Sequence, residues 1–146
     1  MKIRDLLKNI IHQENELYNL YKLGETFATY ENPSLVDHFQ WLASEELRHK
    51  HTVERFLEEN VLEKTAVIDY LDILSLEPYF QDTRAEPKTL ENLVLEALIR
   101  EKHSYELYKK LSEIVEGGLR DIFQMMSQEE LRHGYRLKII YEGLTK

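Results

Sequence analysis

The chain has 146 residues, 19 of them Lys or Arg and 27 Asp or Glu, giving a formal charge of −8, and it contains no cysteine. That is the size of one domain, and without cysteine there are no disulfides, thiolate-ligated zinc sites, iron–sulfur clusters or thiol nucleophiles. The acidic balance argues against nucleic acid as a partner, which would require clustered Lys and Arg, and no uncharged apolar run is long enough to cross a bilayer, so the expected location is the cytoplasm.

Residues 3–28 place Leu6, Leu7, Ile10, Ile11, Leu17, Tyr18 and Tyr21 at steps of three and four, which predicts a long amphipathic helix. Asn32-Pro33 should end it, with Asn32 capping the next helix and Pro33 in its first position, where a missing N–H costs nothing. The second helix is expected to run to about Asn60, with a stripe of Leu35, Phe39, Leu42, Ala43, Val53, Phe56 and Leu57. Residues 61–87, holding Pro78, Pro87 and an apolar run from Val67 to Leu76, read as a crossover long enough to span a bundle. A third helix from about Lys88 carries Leu90, Leu93, Val94, Ala97, Leu98, Tyr105, Tyr108, Leu111 and Val115, and Gly117-Gly118 is predicted to stop it. The fourth should span Leu119 to Glu142. Short connections favour antiparallel neighbours, so the expectation is one all-α domain over residues 1–146, a four-helix bundle of two hairpins, 3–60 and 88–142.

The two hairpins repeat one another. EELRH occurs at residues 45–49 and again at 129–133, while the pattern E-x-x-x-Y-x-L-Y-K begins at both Glu14 and Glu101. Glu14, Glu46, Glu101 and Glu130 each fall within an apolar stripe, and His49 and His133 follow Glu46 and Glu130 by one turn. Four ionised carboxylates in one core would cost several kcal/mol each if nothing compensated them, and no Lys or Arg falls at a core position beside them. Two divalent metals would balance the charge, and a Glu-x-x-His step brings both side chains to one point. A carboxylate-rich set with one imidazole per metal suits iron or manganese, with zinc able to compete; two iron ions are expected.

The order Glu14, Glu46-x-x-His49, Glu101, Glu130-x-x-His133 resembles the ferritin-like di-iron carboxylate superfamily, most of all its rubrerythrin and bacterioferritin branches, across both hairpins. The resemblance implies that Glu46 and Glu130 bridge the irons, with Glu14 and His49 terminal on one and Glu101 and His133 on the other. It also implies that Glu45 and Glu129 accept the free imidazole N–H groups, Glu45 from His133 and Glu129 from His49. Tyr18, Tyr21, Tyr105 and Tyr108 read first as core residues with satisfied hydroxyls, and Tyr21 and Tyr108, by resemblance, as partners of the ligand carboxylates. His12, His38, His51 and His103 lie outside the repeat and are not expected to bind metal, while Met125-Met126 reads as core filler with no haem implied.

Two departures bear on function. Ser104 stands where rubrerythrins typically carry an additional glutamate, leaving a symmetrical six-ligand set, and no four-cysteine iron centre is present. The expected activity is therefore reduction of H₂O₂, or of O₂, with electrons from an external donor such as a rubredoxin. A ferroxidase or iron-storage protein is the alternative, and a non-catalytic metal-stabilised bundle a third reading. A homodimer is expected by resemblance.

Overall fold

The computed structural model describes residues 2–59, 76–80 and 86–146. Four long helices dominate it: α1 (Ile3–Glu31), α2 (Val36–Glu59), α3 (Leu90–Ile114) and α4 (Gly117–Leu144). Short 3₁₀ turns at Pro33–Leu35 and Glu77–Phe80 complete the described elements. The architecture is the all-α, ferritin-like four-helix bundle expected.

The hairpin turns differ in detail from expectation. Asn32 closes α1 through its backbone N–H to Ala28 O, but its side chain caps nothing. Its Oδ1 instead accepts from the Ser34 hydroxyl at 2.6 Å, because Pro33 opens a 3₁₀ turn before α2 begins. In the second hairpin α3 stops at Ile114, ahead of the glycine pair, and Val115 and Glu116 form the connection in extended conformation. Gly117 then starts α4 with φ +66°, a value that carries a Cβ penalty in any other residue. The glycine pair thus opens the fourth helix instead of closing the third. At the start of α3 the Thr89 hydroxyl accepts from the Asn92 N–H at 3.1 Å, a cap worth about 1 kcal/mol.

Two apolar clusters fix how the helices run. One joins Leu6, Leu7 and Ile10 from the start of α1 with Val53 and Phe56 from the end of α2, Leu107 and Leu111 from the end of α3, and Phe123 and Met126 from the start of α4. The other joins Leu17 and Tyr21 with Phe39 and Leu42, Leu93 and Ala97, and Leu137 and Ile140. Helix α1 therefore runs antiparallel to α2 and α3 and parallel to α4. The end of α2 and the start of α3 consequently lie at opposite ends of the bundle. Most of the expected crossover at 61–87, including nearly all of the Val67–Leu76 run, lies outside the described residues; Leu76 itself is buried in the first cluster.

Close packing at one helix crossing requires a glycine. A Cβ on Gly24 would stand 2.7 and 2.8 Å from ring carbons of Phe39 and 3.0 Å from Leu93. With Phe39 and Leu93 fully buried, neither can retreat without disturbing its neighbours.

Candidate metal centre

Between the two apolar clusters lies a polar slice. Along each helix the apolar stripe is interrupted at one level: by Glu14 in α1, Glu46 and His49 in α2, Glu101 in α3, and Glu130 and His133 in α4. All six side chains are 0–1% exposed. Periodicity does this directly, since each falls three or four residues from a core position on the same helical face.

The six residues converge as two groups of four. Glu14, Glu46, His49 and Glu130 offer ligand atoms within 4.8 Å of one another, and so do Glu46, Glu101, Glu130 and His133. Glu46 and Glu130 belong to both. Each imidazole turns Nδ1 inward: His49 Nδ1 lies 2.9 Å from Glu130, 3.5 Å from Glu46 and 3.8 Å from Glu14. His133 Nδ1 lies 3.0 Å from Glu46, 3.3 Å from Glu130 and 3.5 Å from Glu101. The two rings stack at 5.7 Å, so the arrangement has approximate twofold symmetry.

Among the described residues, the buried side-chain atoms without a hydrogen-bond partner all belong to this set: Glu14 Oε2, Glu46 Oε2, Glu101 Oε2, both oxygens of Glu130, His49 Nδ1 and His133 Nε2. Buried polar groups left unpaired each cost free energy, and native proteins rarely tolerate several together. Five carboxylate oxygens and an imidazole nitrogen facing one small space are what divalent metals require. The donor set therefore fits a pair of metal ions.

Protons partly balance the charge when no metal is bound. Burial, reinforced by the charges of Glu101, Glu130 and Glu14, holds Glu46 well above the usual carboxylate range. Burial and the neighbouring Glu130 push Glu101 up to about 8, with His133 pulling in the opposite direction. Burial would also raise Glu130, but the two imidazoles close to it, at 2.9 and 3.3 Å, win and hold it low. For the imidazoles burial opposes the charge, yet Glu129, Glu130 and Glu14 hold His49 up to about 12, and Glu101 and Glu130 hold His133 up to about 10.

The tyrosines of the repeat separate into two kinds. Tyr21 and Tyr108 are buried and cross the bundle, Tyr21 donating to Glu101 and Tyr108 donating to Glu14. Burial and the adjacent carboxylates raise both phenols well above their ordinary range, so they remain donors. Each hairpin thereby braces the glutamate of the other. Tyr18 and Tyr105 are only half-buried and make no such bond.

The outer side of the site is less symmetrical. His49 Nε2 and Glu129 Oε2 are 2.6 Å apart, whereas His133 Nε2 stands 3.7 Å from Glu45, beyond hydrogen-bond range. Arg48 contributes to the difference: its guanidinium donates to Glu45 at 3.1 and 3.2 Å and also to Glu129, drawing both carboxylates to one rim. The His49 bond, with Arg48 assisting against burial, lowers Glu129 to about 2. The bridging role of Arg48 was not visible in sequence, because it links helices 81 positions apart; the i,i+3 step from Glu45 was its only local signal. Trp41 was missed for the same reason. It sets its ring edge-on to His133 at 5.4 Å and carries the Arg136 guanidinium 3.9 Å above its face.

Ser104 is half-buried beside Tyr79 and His103 in a separate small cavity, also lined by His12, and joins neither donor group. None of His12, His38, His51 and His103 joins them either. No helix among the described residues is long and apolar enough to cross a membrane.

Fold and site together define a ferritin-like carboxylate bundle with a buried cluster able to hold metal. A family model described as Rubrerythrin matches residues 5–141, nearly the whole chain, and the chain belongs to the rubrerythrin family. No curated protein and no solved structure matches it.

Proposed function

We propose that the protein is a di-iron oxidoreductase that reduces hydrogen peroxide with electrons from an external donor such as a rubredoxin. The observation that carries the reading is the pair of four-residue donor groups sharing Glu46 and Glu130, whose unpaired buried carboxylate oxygens face one space. In this assignment Glu46 and Glu130 would be shared by two irons, Glu14 and His49 would complete the donor set of one, and Glu101 and His133 that of the other. A reduced metal pair held there would supply the two electrons that, with two protons, convert H₂O₂ to two waters.

The protein's own part is geometric and electrostatic. Tyr21 and Tyr108 hold Glu101 and Glu14 in place through their hydroxyls. Glu129 takes the outer N–H of His49 and so fixes Nδ1 as the inward, ligating atom. The apolar clusters on either side keep bulk water from the site. The missing carboxylate at Ser104 favours a symmetrical six-ligand site over the seven-ligand arrangement typical of rubrerythrins. Assembly as a homodimer and a cytoplasmic location accompany this reading.

The test is anaerobic loading with Fe(II), followed by iron analysis and stopped-flow oxidation by H₂O₂ and by O₂. Two irons per chain, oxidised much faster by peroxide, support the reading. Faster oxidation by O₂ with continued iron uptake would transfer the assignment to ferroxidase or storage, and two bound metals without turnover to a metal-stabilised bundle.

A further inference from the structure

The repeat that builds the centre breaks at one position beside it. Residues 45–50 read EELRHK and residues 129–134 read EELRHG, so Gly134 in α4 stands where α2 carries Lys50. Lys50 is half-buried and donates to Asn15 at 3.1 Å, tying α2 to α1 immediately outside Glu14 and Glu46. Among the described residues, the other hairpin shows no counterpart of this bond. Lys102, one residue after Glu101 as Asn15 is one after Glu14, points instead to Glu106 at 3.8 Å.

The space this leaves is a groove between α3 and α4 of about 600 Å³. It is lined by Leu98, Ile99, Tyr105 and Leu131, and by the helix positions of Glu101 and Glu130. Those two glutamates are 1% and 0% exposed and contribute three of the unpaired buried oxygens, so the groove runs beside the residues of the candidate centre with their carboxylates buried behind it.

Packing does not explain the glycine. Gly134 lies inside a helix, where glycine is destabilising relative to alanine, its φ is not positive, and a Cβ built on it meets nothing within 4 Å. What the absent side chain preserves is the groove. The rim lysines, Lys102 and Lys138, each have a carboxylate one turn on, Glu106 at 3.8 Å and Glu142 at 3.6 Å, so the mouth offers little uncompensated charge. A volume of this order is that of a small-molecule site and far exceeds what hydrogen peroxide fills.

We propose that the α3–α4 groove, kept open by Gly134, binds the apolar substituent of an uncharged alkyl or aryl hydroperoxide and delivers its O–O group to the Glu101 and Glu130 side of the centre. This rests on the peroxide-reducing assignment and deepens it. The step balances as ROOH + 2 H⁺ + 2 e⁻ → ROH + H₂O: the O–O bond breaks, and the two electrons come from the reduced metal pair, one from each ion.

The test uses cumene hydroperoxide as substrate and its product alcohol, 2-phenyl-2-propanol, as an unreactive probe. In methyl NMR spectra of the zinc-loaded and metal-free protein, the alcohol should shift Leu98, Ile99 and Leu131 and leave Leu47 unmoved. Gly134→Lys, which restores the residue of the other hairpin, should abolish those shifts with the metal count unchanged. It should also lower the ratio of cumene hydroperoxide to H₂O₂ reduction rates at least tenfold, and Gly134→Ala, the variant least able to disturb the fold, should lower it by less. Alcohol shifts that persist in Gly134→Lys, an unchanged rate ratio, or a fall in oligomeric mass on substitution, which would make the groove a contact between copies of the chain, would each overturn the proposal. Failure of the parent assignment reads differently: no metal bound or no peroxide turnover, with the alcohol still binding the metal-free groove.

Discussion

The two hairpins are alike at the centre and unlike around it. Each supplies a lone glutamate, a Glu-x-x-His pair and a tyrosine that braces the opposite hairpin's glutamate, all at corresponding positions. Beyond that layer the correspondence fails. Trp41 packs on His133 with Arg136 over it, while Met125, equally placed ahead of the second EELRH, is simply exposed. Gly24 lets α1 approach Phe39, whereas Leu111, three residues after Tyr108 as Gly24 is after Tyr21, fills the other end of the core. Lys50 closes one flank and Gly134 leaves the other open. Six symmetrically placed side chains set the charge that a metal pair would balance, and on the proposed groove their unsymmetrical surroundings would decide from which side the site is reached.

The largest effects should come from breaking the symmetry of the ligands. Glu46→Ala or Glu130→Ala removes a carboxylate common to both donor groups, and each variant should lose two-metal binding. Glu14→Ala and Glu101→Ala, one in each group, should each lose about one metal. Iron analysis after anaerobic loading and desalting distinguishes these outcomes, and an unequal loss between Glu14 and Glu101 variants would show that the halves are not equivalent.

The next effects concern packing and bracing. Gly24→Ala forces a methyl into the Phe39 ring and should destabilise the protein by about 1–3 kcal/mol in urea unfolding. Tyr21→Phe and Tyr108→Phe each remove a hydrogen bond to a buried glutamate and should each destabilise the protein by about 1–3 kcal/mol in urea unfolding. Gly134→Ala meets nothing and should raise stability by about 1 kcal/mol, opposite in sign to Gly24→Ala.

The mildest perturbation is pH. Glu46, Glu101, His49 and His133 all have pKa values raised in the metal-free protein, with Glu101 at about 8 and His133 at about 10, so at neutral pH they retain protons that a metal must displace. Metal affinity should therefore fall as pH falls, and loading in weak buffer should release protons that an indicator dye can count. Loading without proton release would show that the metals bind elsewhere.

Much of this was legible in the chain because it depends on spacing within single helices. Glu14, Glu46, Glu101 and Glu130 stand at three- or four-residue steps from core positions, and the repeated EELRH marks two of the helices. Contacts between helices were less legible. That Tyr21 reaches Glu101 rather than its own helix's Glu14, or that Arg48 joins Glu45 to Glu129, depends on how four helices are placed together. The glycine pair was misread because Gly117-Gly118 carries the same local signal at the end of one helix as at the start of the next, and Val115 and Glu116 had already turned the chain. The groove left only the break in the repeat, Gly134 where the other copy has Lys50, and that break gains meaning only once α3 and α4 are placed together.

One symmetrical cluster is proposed to hold two metals between the apolar halves of the bundle. Anomalous diffraction from crystals grown anaerobically with Fe(II) tests it most directly. Two peaks per chain are expected, one among Glu14, Glu46, His49 and Glu130 and one among Glu46, Glu101, Glu130 and His133. A single peak, or iron bound anywhere other than between Glu46 and Glu130, would contradict it.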